Sequence, residues 1–165
     1  KTSPAKRKAS RENGKKGGRP KKAYYAYSLK TERVREPDFP YDNKKITGAA
    51  DVYNFVKKIQ DSDVEKFVTI FLSQSNKIIG VNIVSGALNC VFPIAREIFK
   101  NALLFQAAAI ILAHNHPSSS LTPSAEDRKF TDNISSGGKI LGVVLLDHII
   151  IVENNFMSFA DKGML

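Results

Sequence analysis

Tryptophan is absent from the 165 residues, and cysteine occurs once, at Cys90. A single thiol excludes an internal disulfide and any multi-cysteine metal cluster, and favours a reducing, intracellular setting. Long apolar runs are also missing. The longest, 107–113, is far shorter than a bilayer-spanning helix. The chain opens Lys-Thr-Ser-Pro, basic and polar with no apolar stretch behind it, so no secretory leader and no membrane attachment are expected. What is present is ordinary for a domain with a real core: 42% hydrophobic and 25% charged residues. A cytoplasmic protein is the expectation.

Charge is distributed unevenly. Residues 1–22 hold ten of the 25 basic side chains and one of the 16 acids, so this segment carries the whole net charge of +9 and the other 143 residues are neutral. The same stretch has no large apolar side chain but contains Pro4, Gly14, Gly17, Gly18 and Pro20. It cannot bury enough surface to offset its ordering entropy and reads as a disordered basic arm, with the folded domain spanning 23–165. A polyanion is the natural partner of such an arm, through counterion release. Gly18-Arg19-Pro20-Lys21-Lys22 is similar to the core of an AT-hook, with Gly17 where that pattern has an arginine. Arg19, Lys21 and Lys22 are therefore candidate nucleic-acid contacts, against the plainer reading of a solubilising tail, and binding to DNA would place the protein beside the nucleoid.

Periodicity predicts an α/β domain. Tyr24, Tyr25, Tyr27 and Leu29 suggest a first strand, with stacking on bases as a second reading of its tyrosines. A helix follows Thr47 through Val52, Phe55, Val56 and Ile59. Strands at 67–72 and 77–84 flank a Ser73-Gln74-Ser75-Asn76 turn, and 86–89 is a loop. Pro93 opens a second helix with Ile94, Ile98, Leu103 and Phe105 on its apolar face. The run 107–113 reads as a buried central strand and 114–122 as a loop. Thr122-Pro123 caps a third helix that ends at Gly137-Gly138. Strands at 140–146 and 148–152 and an edge strand at 156–159 complete a mixed sheet flanked by helices.

The chemistry is concentrated in His114-Asn115-His116-Pro117, followed by Ser124 and Asp127. In extended chain, residues two apart point to the same side, so His114 and His116 can face one metal ion. Ser124 and Asp127, three apart at a helix start, share a face, and the loop is long enough to bring Asp127 back as a third ligand. Two histidines and one aspartate leave a fourth tetrahedral position for water, the pattern of a catalytic zinc site. Such an ion would acidify the water and polarise a substrate carbonyl.

His-x-His-Pro with Ser and then Asp three residues on resembles the JAMM motif of MPN (JAB-domain) metallopeptidases. The longer pieces His114-Asn115-His116-Pro117-Ser118, Thr122-Pro123-Ser124-Ala125-Glu126-Asp127, Gly86-Ala87-Leu88-Asn89, Arg96-Glu97-Ile98-Phe99, the 107–113 run and Leu146-Asp147-His148 resemble the bacterial RadC version. The resemblance covers 47–165 and implies a JAB/MPN, cytidine-deaminase-like fold. It implies one zinc ion per chain held by His114, His116 and Asp127, with Ser124 helping to stabilise a tetrahedral oxyanion. Glu65, just ahead of a strand, is the best match to the family's general base, with Glu97 the competitor. The implied activity is hydrolysis of a peptide or isopeptide amide; the alternative is a DNA-associated protein with a repair or mobile-element role.

Three departures from the family pattern stand out. Ser119-Ser120-Leu121 replaces a usual Gly-Asp-Pro, Ala95 stands where proline is common, and the basic arm and a short lead-in stand ahead of the match where full-length family members carry a helical domain, so that a standalone JAB domain is the expectation. His148 reads as a core residue or a partner of a ligand rather than a fourth ligand. Cys90 has no evident catalytic partner. Deaminase chemistry is excluded, because it needs His-x-Glu and Pro-Cys-x-x-Cys. Insertions of the kind used to grip ubiquitin find no room between 67 and 146, so ubiquitin is not an expected partner.

Overall fold

A computed structural model of the chain describes residues 45–85 and 93–165. The basic arm, the tyrosine-rich strand at 24–29, the 86–89 loop and Cys90 lie outside the described residues.

The described elements are helix α1 (Ala49–Val56) running into a 3-10 turn (Lys57–Asp61), β1 (Lys66–Leu72), β2 (Ile78–Ser85), α2 (Ala95–Leu104), β3 (Ala109–Asn115), α3 (Ala125–Leu141), β4 (Val144–Val152) and β5 (Asn155–Ser158). The strands form one mixed sheet in the order β2-β1-β3-β4-β5. β1 is antiparallel to β2 and β3, β3 is parallel to β4, and β5 closes a hairpin with β4. This is the expected α/β architecture with helices on both faces. No helix among the described residues is long and apolar enough to cross a membrane.

Alternation along β3 builds two cores at once. Ala109, Ile111 and Ala113 face α1 and the 3-10 turn, packing with Val52, Val56 and Ile59. Ile110 and Leu112 face α2 and α3, packing with Ile98, Phe99, Ala102 and Ile134. A strand buried on both sides must be apolar throughout, which is why 107–113 stands out in the sequence.

Four expectations are corrected. Ile98 is buried as expected, but Ile94 and Leu103 are exposed, and α2 buries Phe99 and Ala102 in their place. α3 is capped by Ser124 rather than Thr122, through a reciprocal capping box with Asp127. It runs through Gly137 and Gly138 and ends at Gly142, whose φ of 70° is the left-handed conformation glycine favours. Gly138 is needed for contact rather than for termination: an added Cβ would collide with the Val143 carbonyl oxygen. Finally, 140–146 and 148–152 are not two strands. Ile140 and Leu141 belong to α3, and one strand, β4, continues past a register shift that skips Leu146.

Candidate metal centre

β3 delivers the first two residues of the site. Its last turns of pleat place His114 at the carboxyl end of the central strand, where α/β sheets present their chemistry, and His116 directly beyond. Because β1 is antiparallel, Phe67 pairs with His114, and the Lys66 amide reaches the Asn115 side chain. Glu65 directly precedes β1 at this same end of the sheet. α3 then returns the chain with its N-terminus at the same end, carrying Ser124 and Asp127.

The side chains converge. His114 Nε2 lies 2.9 Å from His116 Nε2. Asp127 places Oδ1 3.1 Å from His114 Nε2 and Oδ2 3.6 Å from His116 Nε2. Glu65 Oε1 is 3.8 Å from His114 Nε2. Donor atoms of Glu65, His114 and His116 all lie within 4.8 Å of one another, a group able to hold a metal ion. A tetrahedral ion with bonds of about 2.0–2.1 Å holds its ligands about 3.3 Å apart, and the His–His and His–Asp separations bracket that value.

Each imidazole is held from behind. His116 Nδ1–H donates to the Ser120 carbonyl at 2.7 Å, which leaves Nε2 to the site. His114 Nδ1 lies 2.9 Å from His148 Nε2, and His148 Nδ1 lies 2.6 Å from Thr131 Oγ1. His114 and Phe67 stack at 5.7 Å, and His148 stacks on Phe159 at 4.8 Å. Asp147, a buried carboxylate pushed above its ordinary value by desolvation, accepts from the Ser158 hydroxyl and the Ala160 amide and so anchors the segment that carries Phe159.

Asp127 is fixed more tightly than Glu65. Its Oδ2 accepts from the Ser124 amide at 2.7 Å and from the Ser124 hydroxyl at 2.6 Å, while its own amide donates to Ser124 Oγ at 3.0 Å. The facing His114 and His116 rings and the Ser124 hydroxyl hold its carboxyl far below the usual carboxylate range despite burial. His116 is raised above the ordinary imidazole value, chiefly by the Asp127 carboxylate that faces it. Burial drives His148 well below it, so that ring is neutral. Ser124 donates its hydroxyl proton to Asp127, so the residue expected to meet an oxyanion is occupied with the carboxylate and the helix end.

Asn115, between the two histidines, faces the other way. Its Oδ1 accepts from the Lys66 amide at 2.7 Å, and its Nδ2 donates to the carbonyls of Ser62 and Val64 at 3.2 and 3.3 Å. Both neighbours of Glu65 are thereby tied down. Glu97, the competing glutamate, lies on α2 in ion pairs with Lys100 and, at 3.9 Å, with Arg96. Arg19, Lys21 and Lys22 lie outside the described residues.

Sequence reasoning missed Thr131 and the Asn115 clamp, and it misplaced the helix cap. Two signals were available: Ser124-x-x-Asp127 has capping-box spacing, and Thr131 follows Asp127 by one helical turn on the same face.

A sequence model of the RadC-like JAB domain matches residues 46–164. A UPF0758 protein of Methanosarcina mazei is 37% identical over 150 residues, covering 90% of this chain and 66% of that protein. A UPF0758 protein of Geotalea uraniireducens is 40% identical over 124 residues, covering 74% of this chain and 54% of its own length. The chain thus spans between half and two-thirds of the length of these relatives.

Proposed function

This chain belongs to the RadC-like JAB domain family, and from that premise we propose that it is a zinc-dependent metallohydrolase cleaving a peptide or isopeptide amide bond. The observation that carries the reading is the meeting of His114 Nε2 and His116 Nε2 at 2.9 Å, each ring already engaged through its other nitrogen, beside the Asp127 carboxylate. Two imidazoles and a buried, ionised carboxylate suit zinc by charge and donor type.

In this reading His114, His116 and Asp127 hold the ion and Glu65 does the proton work. The division follows from how each carboxylate is held. Asp127 is 1% exposed and carries two hydrogen bonds from Ser124. Glu65 stands further back on a partly exposed side chain, positioned through its backbone neighbours. Bound zinc supplies Lewis-acid polarisation of the scissile carbonyl and an acidified water. The Glu65 carboxylate takes the nucleophile's proton and passes it to the departing amine. Ser124 holds Asp127 in place, and to serve an oxyanion its hydroxyl must turn from that carboxylate.

Turnover of zinc-loaded protein on peptide and isopeptide libraries, wild type beside Glu65→Gln, tests the reading. Cleavage that the variant loses by a hundredfold or more while keeping its zinc supports it. Equal cleavage by both removes Glu65 from the chemistry.

Nucleic acid is proposed as the partner of residues 1–22, supported by the +9 charge gathered there. Deleting them should abolish salt-sensitive DNA binding and leave hydrolysis unchanged; retained binding overturns that role.

A further inference from the structure

To hold a metal through Nε2, a neutral His114 must carry its proton on Nδ1, and an isolated imidazole has no strong reason to do so. The hydrogen bonds behind the ring supply the reason, and their direction is fixed from one end. The Asp127 backbone carbonyl can only accept, and Thr131 Oγ1 lies 2.6 Å from it, so the Thr131 hydroxyl donates there. With its single proton committed, Thr131 Oγ1 can only accept from His148 Nδ1, 2.6 Å away. His148 therefore carries its proton on Nδ1. The ring is fully buried, packed between Phe67 and Phe159, so it stays neutral and its Nε2 is an acceptor. The group 2.9 Å from that Nε2 is His114 Nδ1, which must donate.

We infer that Thr131 and His148 form a positioning relay that locks His114 in the Nδ1-protonated tautomer and thereby presents the Nε2 lone pair to the metal site. The relay starts at the backbone of Asp127, so the helix turn that brings in one proposed ligand also sets the proton on another. This inference rests on the metal reading above and extends it to residues that touch no metal. Partners placed in this way typically change metal affinity ten- to a hundredfold.

The test reads the tautomer directly, in metal-free protein labelled with ¹⁵N at histidine, by long-range proton–nitrogen correlation at mildly alkaline pH. Wild type is expected to show His114 protonated at Nδ1. Thr131→Val keeps the shape but breaks the direction of the chain, and should give a mixture of His114 tautomers and zinc affinity lower by about ten- to a hundredfold. Thr131→Ser should restore both. A purely structural Thr131 would lower the melting temperature of the valine variant and leave the tautomer unmoved, and that result overturns the relay. Should Thr131→Val not fold, His148→Gln retains a donor for Thr131 and an acceptor for His114. It is expected to keep the Nδ1 tautomer, and an Nε2-protonated His114 in it contradicts the relay. Wild type with the expected tautomer but no zinc uptake counts against the proposed function and leaves the relay standing.

Discussion

Ser124 and Asp127 are bound to each other three times: the Ser124 amide and hydroxyl donate to Asp127 Oδ2, and the Asp127 amide donates to Ser124 Oγ. The carboxylate that faces the two histidines thus also belongs to the third residue of α3, which closes the capping box with Ser124. Site and fold share one group. Ser124→Ala removes the cap and one hold on the carboxylate, and should cost about 1 kcal/mol of stability, read in denaturant melts, together with weaker zinc binding in the same protein. Unchanged stability would show that the capping box is not formed in solution.

Zinc uptake should depend on pH through His116. Its folded value is raised, so in metal-free protein near neutral pH this imidazole holds a proton more often than a free one, and a metal must displace it. Asp127, held far below the carboxylate range, has none to give. Affinity should rise with pH until it passes the raised His116 value and then level off. Calorimetry in buffers of different ionisation heat should register proton release. The same shift means that the His116–Asp127 pairing stabilises the metal-free fold fully below about pH 6.5 and that this contribution is lost as pH rises through the raised value. A zinc affinity independent of pH between 6 and 8 would contradict this account.

Asn115→Ala should separate binding from catalysis. The variant loses the three bonds that fix the chain on both sides of Glu65. It leaves the Lys66 amide without its partner, a loss of about 1–3 kcal/mol. Zinc stoichiometry should stay at the wild-type level while kcat falls more than KM changes. Loss of zinc in this variant would mean that Asn115 shapes the ligand set itself.

The loop between the histidines and α3 contains a residue in an unfavourable backbone conformation. Ser119 has φ of 59°, and its amide donates to the His116 carbonyl in the turn that brings the Ser120 carbonyl onto His116 Nδ1. Glycine adopts that conformation without strain. Ser119→Gly should leave the melting temperature unchanged or raise it, by no more than about 1 kcal/mol of stability. A drop of more than that would place Ser119 in contacts the geometry does not show. Gly138→Ala should do the opposite, losing more than about 2 kcal/mol because its Cβ would meet the Val143 carbonyl.

Much of this was legible in the sequence, and the reasons are particular. The 107–113 run identified the central strand because burial on both faces demands an unbroken apolar stretch. His114 and His116 announced a shared direction because strand geometry alternates strictly. The errors arose where tertiary contact overrides local signals. Gly137-Gly138 resembles a helix end, but close packing on Phe99 and Val143 requires small residues there in mid-helix. Leu146 looks like the middle of a strand, yet the sheet register passes over it. Asn115 gave little sign of its role, because the chain it clamps lies about fifty residues away; Thr131 showed its spacing to Asp127 but not its partner His148, which sits on another element.

The most direct measurement is the metal content of purified protein, by mass spectrometry, for wild type, His116→Ala and Asp127→Ala. The account predicts about one zinc per chain in wild type and its loss in both variants. A folded wild type that carries no zinc and takes none up when it is supplied would contradict it.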